Sequence, residues 1–535
     1  MRLRITLFIL MCWSVTASAQ QQVPQWERFE AVYTLHTDKN PFTDITLTAT
    51  FTHTASGQSM TINGFYDGND TFRIRFMPTI QGEWIFRTHS SEQELNGKKG
   101  SLTCTKPISH GMVLAGKDHD FLYADGTPYR PIGTTSYAWT HASSERQRLT
   151  YQSLRDTKFN KLRFCVFPNN SVYELPERYP FKLISQKKNL QDKSIYIWDF
   201  SRFDVSFFQH LESCIDSLRQ LEIEADLILF SPYDGGLWGF DRMTPEHNRR
   251  YLSYLMARLA AFSNIWWSMA NEWNLIKTKT QEEWQELTQI VAQQDPYHHL
   301  LSTHGGTAVY VDYNHPYYTH ASIQDQGPLY NIEGAATVRN IIHKPVIFDE
   351  VCYEGDLKSR WAQLTGQEML QRIWTGLMGG TYVTHGECFA SDAEDYTGFS
   401  FLATGGQFQG TCSKRIPFLR KLLDSLPYAP RLADQSWDPI TATAGEGHYL
   451  IYFGNERPKS WTFNLPVRNS CWARLEEGKE LHVDVIDTWN MTTIHYKHSF
   501  VTKSDGTRYR MVDQQGRSVS LPNKHTFYYI FIPKI

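Results

Sequence analysis

Two glutamates stand at the ends of two apolar runs, 78 residues apart: Glu272 closes Ile265-Trp-Trp-Ser-Met-Ala-Asn-Glu272, and Glu350 closes Pro345-Val-Ile-Phe-Asp-Glu350. Each run reads as a buried strand, and a side chain at its end leaves the core and can face a cleft. Two carboxyls delivered by separate strands suit cleavage of a glycosidic bond. One donates a proton while the other attacks carbon or activates water. A separation of about 5 Å favours double displacement with retention, and about 6.5–9.5 Å leaves room for water and inversion.

The elements that must hold this pair alternate between strand and helix from about residue 115 to 427. Predicted strands are 129–133, 160–167, 224–230, 265–270, 300–304, 321–324, 345–349 and 380–384; helical patterning covers 144–158, 203–221, 245–261, 281–295 and 416–426. Eight such units over roughly 300 residues fit a (β/α)8 TIM barrel. A doubly wound open sheet would carry a Gly-rich phosphate turn after its first strand, and Gly133-Thr-Thr-Ser-Tyr137 has none. Residues 24–107 and 428–535 instead alternate with period two, which predicts an immunoglobulin-like β-sandwich before the barrel and a second β-sandwich after it.

Residues 1–19 read as a secretory signal: Arg2 and Arg4, an apolar stretch from Ile5 to Val15, and Ala17-Ser-Ala19 as the cleavage site. The mature chain is expected to be exported to the periplasm or beyond. The formal net charge is −3, falling by two to −5 once Arg2 and Arg4 are removed. That balance speaks against nucleic acid and anionic membrane surfaces as partners. No later segment is apolar enough for membrane insertion. Seven cysteines remain after the signal, scattered and odd in number, and read as small hydrophobes rather than a disulfide framework.

In a TIM barrel the chemistry sits at the carboxyl ends of the strands. The residues gathered there are Tyr137 and Trp139 after strand one, Arg163 on strand two, Tyr233 and Asp234 after three, Asn271, Glu272 and Trp273 after four, and His304 after five. Tyr353 follows strand seven, and His385 and Glu387 follow eight. Trp139, Trp238 and Trp273 are candidate platforms for stacking a sugar. Asp349 is expected to point the opposite way from Glu350 along the strand.

With Asn-Glu after strand four, Glu after strand seven and Phe121-Leu-Tyr-Ala-Asp-Gly-Thr-Pro-Tyr-Arg-Pro-Ile-Gly133 leading in, the chain resembles the clan A glycoside hydrolases. Within that clan it looks most like the apiosidase-like, polysaccharide-degrading branch of gut bacteria. The resemblance implies that Glu272 is the general acid/base, Asn271 the donor to the sugar 2-hydroxyl, and Glu350 the nucleophile of a retaining reaction that needs no cofactor or metal. Arg163 is expected to hydrogen-bond Glu350 and keep it ionised. Clan members frequently end strand eight with a tryptophan, whereas Thr384-His-Gly-Glu-Cys388 stands here, which makes Glu387 a third carboxylate and His385 a candidate sugar ligand. The insert between strand two and the following helix is a candidate specificity wall.

Two other readings are open. An inactive barrel could bind carbohydrate without cleaving it. A metal-dependent hydrolase would draw on the histidines between 298 and 320, but these lack the His-x-x-x-His spacing of a helical zinc site.

Overall fold

A computed structural model describes residues 21–169, 176–188, 194–327, 329, 331–390, 401–433, 440–445, 447–468, 474–522 and 529–534. The leader expected at residues 1–19, Asn170, Cys471 and residues 391–400 lie outside these. Eight parallel strands form the centre: Gly133–Thr135, Lys161–Cys165, Glu224–Phe230, Ile265–Ala270, Leu301–Ser302, Ala321–Gln324, Val346–Glu350 and Tyr382–Val383, called barrel strands one to eight. Strands one to five make one ladder and six to eight another. Single bridges, His304 to Ser322 and Thr134 to His385, close the two ladders into a TIM barrel. The third and fourth strands are buried at every residue, which is why their sequences run apolar instead of alternating.

Helices Ser144–Thr157, Val205–Gln220, Pro245–Leu259, Gln281–Gln294 and Ile416–Asp424 lie where the sequence periodicity predicts them. Two more, Ile332–Ile341 and Gly366–Met378, have no counterpart in that reading. Gly366 and Gly376 weaken the helical signal of the second. Gly376 is needed because a Cβ there would come within 2.4 Å of Val383 on strand eight. The signal that marks this helix is its capping box, in which Thr365 and Glu368 satisfy each other's backbone N–H groups.

Strand one begins later than expected. Pro128–Tyr129 pairs antiparallel with Phe121–Leu122 instead, across a turn in which Gly126 takes φ 87°. Pro131 follows and has no N–H to give a ladder. The hairpin plugs the barrel floor, with Phe121 packed against Trp266 and Tyr382.

Before the barrel, a five-stranded and a three-stranded sheet share one apolar core that includes Phe29, Phe51, Phe76 and Trp84. Ion pairs fix them to the barrel helices, Arg258 to Asp67 at 2.7 Å and Arg75 to Glu212 at 2.7 Å. After the barrel, a further set of strands encloses a core built on Tyr449, Ile451, Phe463 and Phe500. Among the described residues no helix is long and apolar enough to cross a membrane. Six cysteines there are buried and unpaired.

The barrel floor also holds a buried acid. Glu224 accepts the Trp266 indole N–H at 3.0 Å, and burial pushes its carboxyl up to about 8. A carboxyl raised in the folded state contributes stability that is full below its ordinary value, about 4.3, and is lost as pH rises through about 8. The melting temperature of the wild type is therefore expected to fall from about pH 5 to about pH 9. Glu224→Gln keeps an acceptor for the indole and should flatten that fall. Parallel profiles for the two proteins would refute this origin.

Candidate active site

Glu350 ends strand seven at 6% exposure. Its Oε1 accepts the hydroxyl of Tyr137 from strand one and the amide of Asn271 from strand four, the latter at 2.9 Å. Burial and the charge of Glu272 push the Glu350 carboxyl above its ordinary value, against the pull of Tyr137, Asn271 and Arg163. The same burial, with the charge of Glu350 added, pushes the phenols of Tyr137 and Tyr353 well up, so both remain hydrogen-bond donors.

Glu272 follows Asn271 in the left-handed region, φ 44° and ψ 51°. This conformation is uncommon for a residue with a Cβ and turns the side chain out of strand alternation. Its Oε2 accepts the Tyr233 hydroxyl at 2.8 Å, and Tyr233 also receives the Asn271 amide. Glu272, Tyr233, Asn271 and Glu350 thus form one hydrogen-bonded chain across the cleft. Tyr233, which stacks on Tyr137 with ring centres 5.3 Å apart, is a member that sequence reasoning left without a role. It lies on the loop after strand three, where periodicity assigns no direction to a side chain.

Arg163 does not bond Glu350. Its guanidinium donates to the Asn271 side-chain oxygen at 2.9 Å, to Ser268 at 3.2 Å and to Asp226 at 3.1 Å. It therefore fixes which end of the Asn271 amide faces Glu350 and acts on the glutamate through that amide. Asp349 also departs from expectation, because it faces the barrel interior. It accepts Lys161 at 2.8 Å, Ser322 at 2.6 Å and Thr384 at 2.7 Å. The cause is a β-bulge: the pairing of strands six and seven steps from Ile323–Phe348 to Gln324–Glu350, leaving Asp349 unmatched and both acids on the inner side.

The comparisons with known proteins bear on this geometry. Residues 116–388, just over half of the chain, match the model of the apiosidase-like catalytic domain. The chain belongs to that family. A structure from Bacteroides vulgatus ATCC 8482, solved as a candidate glycoside hydrolase, is 46% identical, covers 96% of this chain and 100% of its own, and superposes with a TM-score of 0.92. A family 5 glycoside hydrolase from the same organism is 13% identical over 79% of this chain and 93% of its own, with a TM-score of 0.55, and shares the fold. The flanking regions match two domains of unknown function, DUF5060 at 22–91 and DUF5605 at 437–527. No curated protein matches the chain. The apiosidase-like chain is a glycoside hydrolase.

Other residues singled out in the sequence of this apiosidase-like hydrolase take varied places. Tyr353 packs over Gly386, where a Cβ would come within 2.4 Å of its ring, and so fills the space at the end of strand eight. Trp273 is half-buried at the cleft edge. His304 is fully buried with its Nε2 3.7 Å from Glu350, and burial lowers it to about 3, so it is a neutral ring behind the carboxylate rather than a sugar ligand. Asp234 accepts the backbone of Gly236 and Trp238 and shapes its own loop.

Trp139 and Trp238 are buried, the first between Tyr151 and Phe164, and offer no platform. Strand alternation explains His385 and Glu387. Thr384 and Gly386 face inward, so His385 and Glu387 face outward. His385 bonds Thr134 at 3.0 Å and packs on Phe159 and Phe408, away from the cleft. Glu387 accepts the backbone N–H groups of Gln409 and Gly410. The histidines between 298 and 320 do not converge: His299 bonds Asp295, His304 bonds Ser322, and His320 packs on the floor against Phe121. Glu354, His385 and Cys412 bring their ligand atoms within 4.8 Å of one another, but on the outer face of strand eight.

Proposed function

We propose that this glycoside hydrolase is exported and cleaves O-glycosidic bonds of a poly- or oligosaccharide by a retaining double displacement, without a cofactor, between two accessory β-sandwiches. Glu350 attacks the anomeric carbon while Glu272 gives its proton to the leaving oxygen, so that the bond to that oxygen breaks as the ester to Glu350 forms. Glu272 then takes a proton from water, which attacks the same carbon and frees Glu350. The observation that carries the reading is the chain from Glu272 through Tyr233 and Asn271 to Glu350, with two donors already on the attacking carboxylate. Only two groups separate the carboxylates, and Glu350 feels the charge of Glu272, a closeness that favours retention. Asn271, held by Arg163, is placed to meet a sugar hydroxyl beside Glu350.

The test is a panel of aryl glycosides and plant polysaccharides, with the anomer of the first-formed product read by NMR. Retained product supports the scheme, and inverted product overturns it. Export is checked by the N-terminal residue of the secreted protein, expected near Gln20.

The pH profile carries a separate expectation. Glu350 must be ionised to attack, so its raised carboxyl places the acid limb of kcat/KM above the ordinary glutamate value of about 4.3. Glu272→Gln removes the neighbouring charge that contributes to this rise. On an aryl glycoside with a good leaving group, the limb should then move to lower pH. A limb that stays in place would mean another group controls it.

A further inference from the structure

Asn271 has no hydrogen left for a sugar. A side-chain amide carries two N–H donors and one oxygen. The oxygen takes Arg163 at 2.9 Å, one N–H goes to Glu350 Oε1 at 2.9 Å, and the other goes to the Tyr233 hydroxyl. Tyr233 gives its own proton to Glu272 Oε2 at 2.8 Å. Burial and the charges of Glu350 and Glu272 push this phenol well up, so it stays a donor. An anomeric carbon attacked by Glu350 brings the hydroxyl of the next carbon beside the same carboxylate, where a hydrogen bond to it strengthens in the transition state. The donor at that place is Asn271. Glu272 still has its Oε1 for the departing oxygen, so the sugar and the protein compete only for the Asn271 amide.

We propose that the Tyr233 hydroxyl holds the place of the sugar's 2-hydroxyl in the resting enzyme, and that a sugar carrying this hydroxyl displaces it from Asn271. The inference rests on the two-glutamate reading. The Tyr233 ring is held by its two hydrogen bonds and by stacking on Tyr137. Behind it, Gly235 and Gly236 take φ 58° and 74°, a region that glycine enters and leaves at little cost. A Cβ on Gly235 would meet nothing within 4 Å, so the loop has open space on that side. Two residues further on the chain is pinned, because Trp238 is 1% exposed and its carbonyl accepts the Trp198 indole at 2.8 Å. The two glycines thus form a pivot between the fixed Trp238 and Tyr233. A sugar hydroxyl accepts from Asn271 as the phenol does, so the buried amide is paired before and after the exchange. A sugar without the 2-hydroxyl offers no replacement and leaves Tyr233 in place. The glycans selected are those whose cleaved sugar has a free 2-hydroxyl.

The experiment compares the wild type with Tyr233→Phe, which keeps the stack on Tyr137 and removes only the hydroxyl. The substrates are 4-nitrophenyl glycosides of glucose, galactose, mannose, xylose and arabinose in both anomers, each beside its 2-deoxy counterpart. Their leaving group draws little on Glu272, so kcat/KM reports the attack by Glu350. On the parent glycoside that is cleaved, Tyr233→Phe should raise kcat/KM about tenfold, because the sugar no longer breaks a hydrogen bond to reach Asn271. On the 2-deoxy form no gain is expected. A loss on the parent glycoside overturns the proposal and makes Tyr233 a support of the site. An equal gain on both forms overturns it too, since something other than the 2-hydroxyl then displaces the phenol. Either result leaves the two-glutamate reading intact. A wild type silent on every glycoside removes that reading and this role of Tyr233 together.

Discussion

Glu350→Gln is expected to lower turnover by about 10⁴-fold or more with no change of fold, because it removes the proposed attacking group and nothing in the cleft replaces it. The substitution is isosteric, and Tyr137 and Asn271 keep an oxygen to donate to, so melting temperature and circular dichroism should match the wild type. His304 behind it is neutral, and Asp349 is committed to three donors below, so neither can act in its place. Glu387 faces the opposite side of its strand and gives no second route. The decisive measurement is single-turnover hydrolysis of an activated aryl glycoside. Residual activity within about a hundredfold of wild type would show that the nucleophile lies elsewhere.

Asp349→Asn is expected to act on stability instead. Lys161, Arg163, Asp226 and Asp349 form an ionic cluster inside the barrel, with Lys161 reaching Asp226 at 2.7 Å and Asp349 at 2.8 Å. Two cations and two anions balance there. Neutralising one member leaves an uncompensated buried charge, which costs about 3–5 kcal/mol. Lys161 and Arg163 hold the Asp349 carboxyl well below the usual range, so its contribution is present above about pH 3.9 and lost as pH falls through the lower folded value. Urea unfolding near neutral pH should therefore show a lower midpoint for Asp349→Asn, with the difference shrinking in acid. Equal midpoints would mean that the cluster relaxes or admits water.

The candidate pair was legible because a strand buried on both faces writes an uninterrupted apolar run, and the first charge after it marks the rim. Asn271-Glu272 and Glu350 were read that way. The direction of a side chain was legible only where alternation held. Counting outward from Thr384 would have sent His385 and Glu387 away from the cleft, whereas no count could have turned Asp349 inward across a bulge. Arg163 was rightly drawn to the cleft floor but given the wrong partner, since pairing depends on depth along the barrel axis. Trp139 and Trp238 illustrate that an aromatic residue near a strand end is as readily core as platform. The insert after strand two yields a hairpin, Phe181–Lys188 with Ser194–Phe203, beyond the reach of periodicity.

The ring closes by single bridges at two seams, between strands five and six and between strands eight and one. In terms of amide exchange, strands one to five and six to eight are separate blocks with little backbone to couple their opening. Glu272 belongs to one block and Glu350 to the other. What spans the seams is largely side chain: Asn271 and Tyr137 to Glu350, Lys161 to Asp349, Thr134 to His385. The groups that set the cleft for chemistry therefore also act as its sutures, and a substitution that breaks one of these contacts, unlike the isosteric Glu350→Gln, loosens the cooperativity of the whole barrel as well as the site.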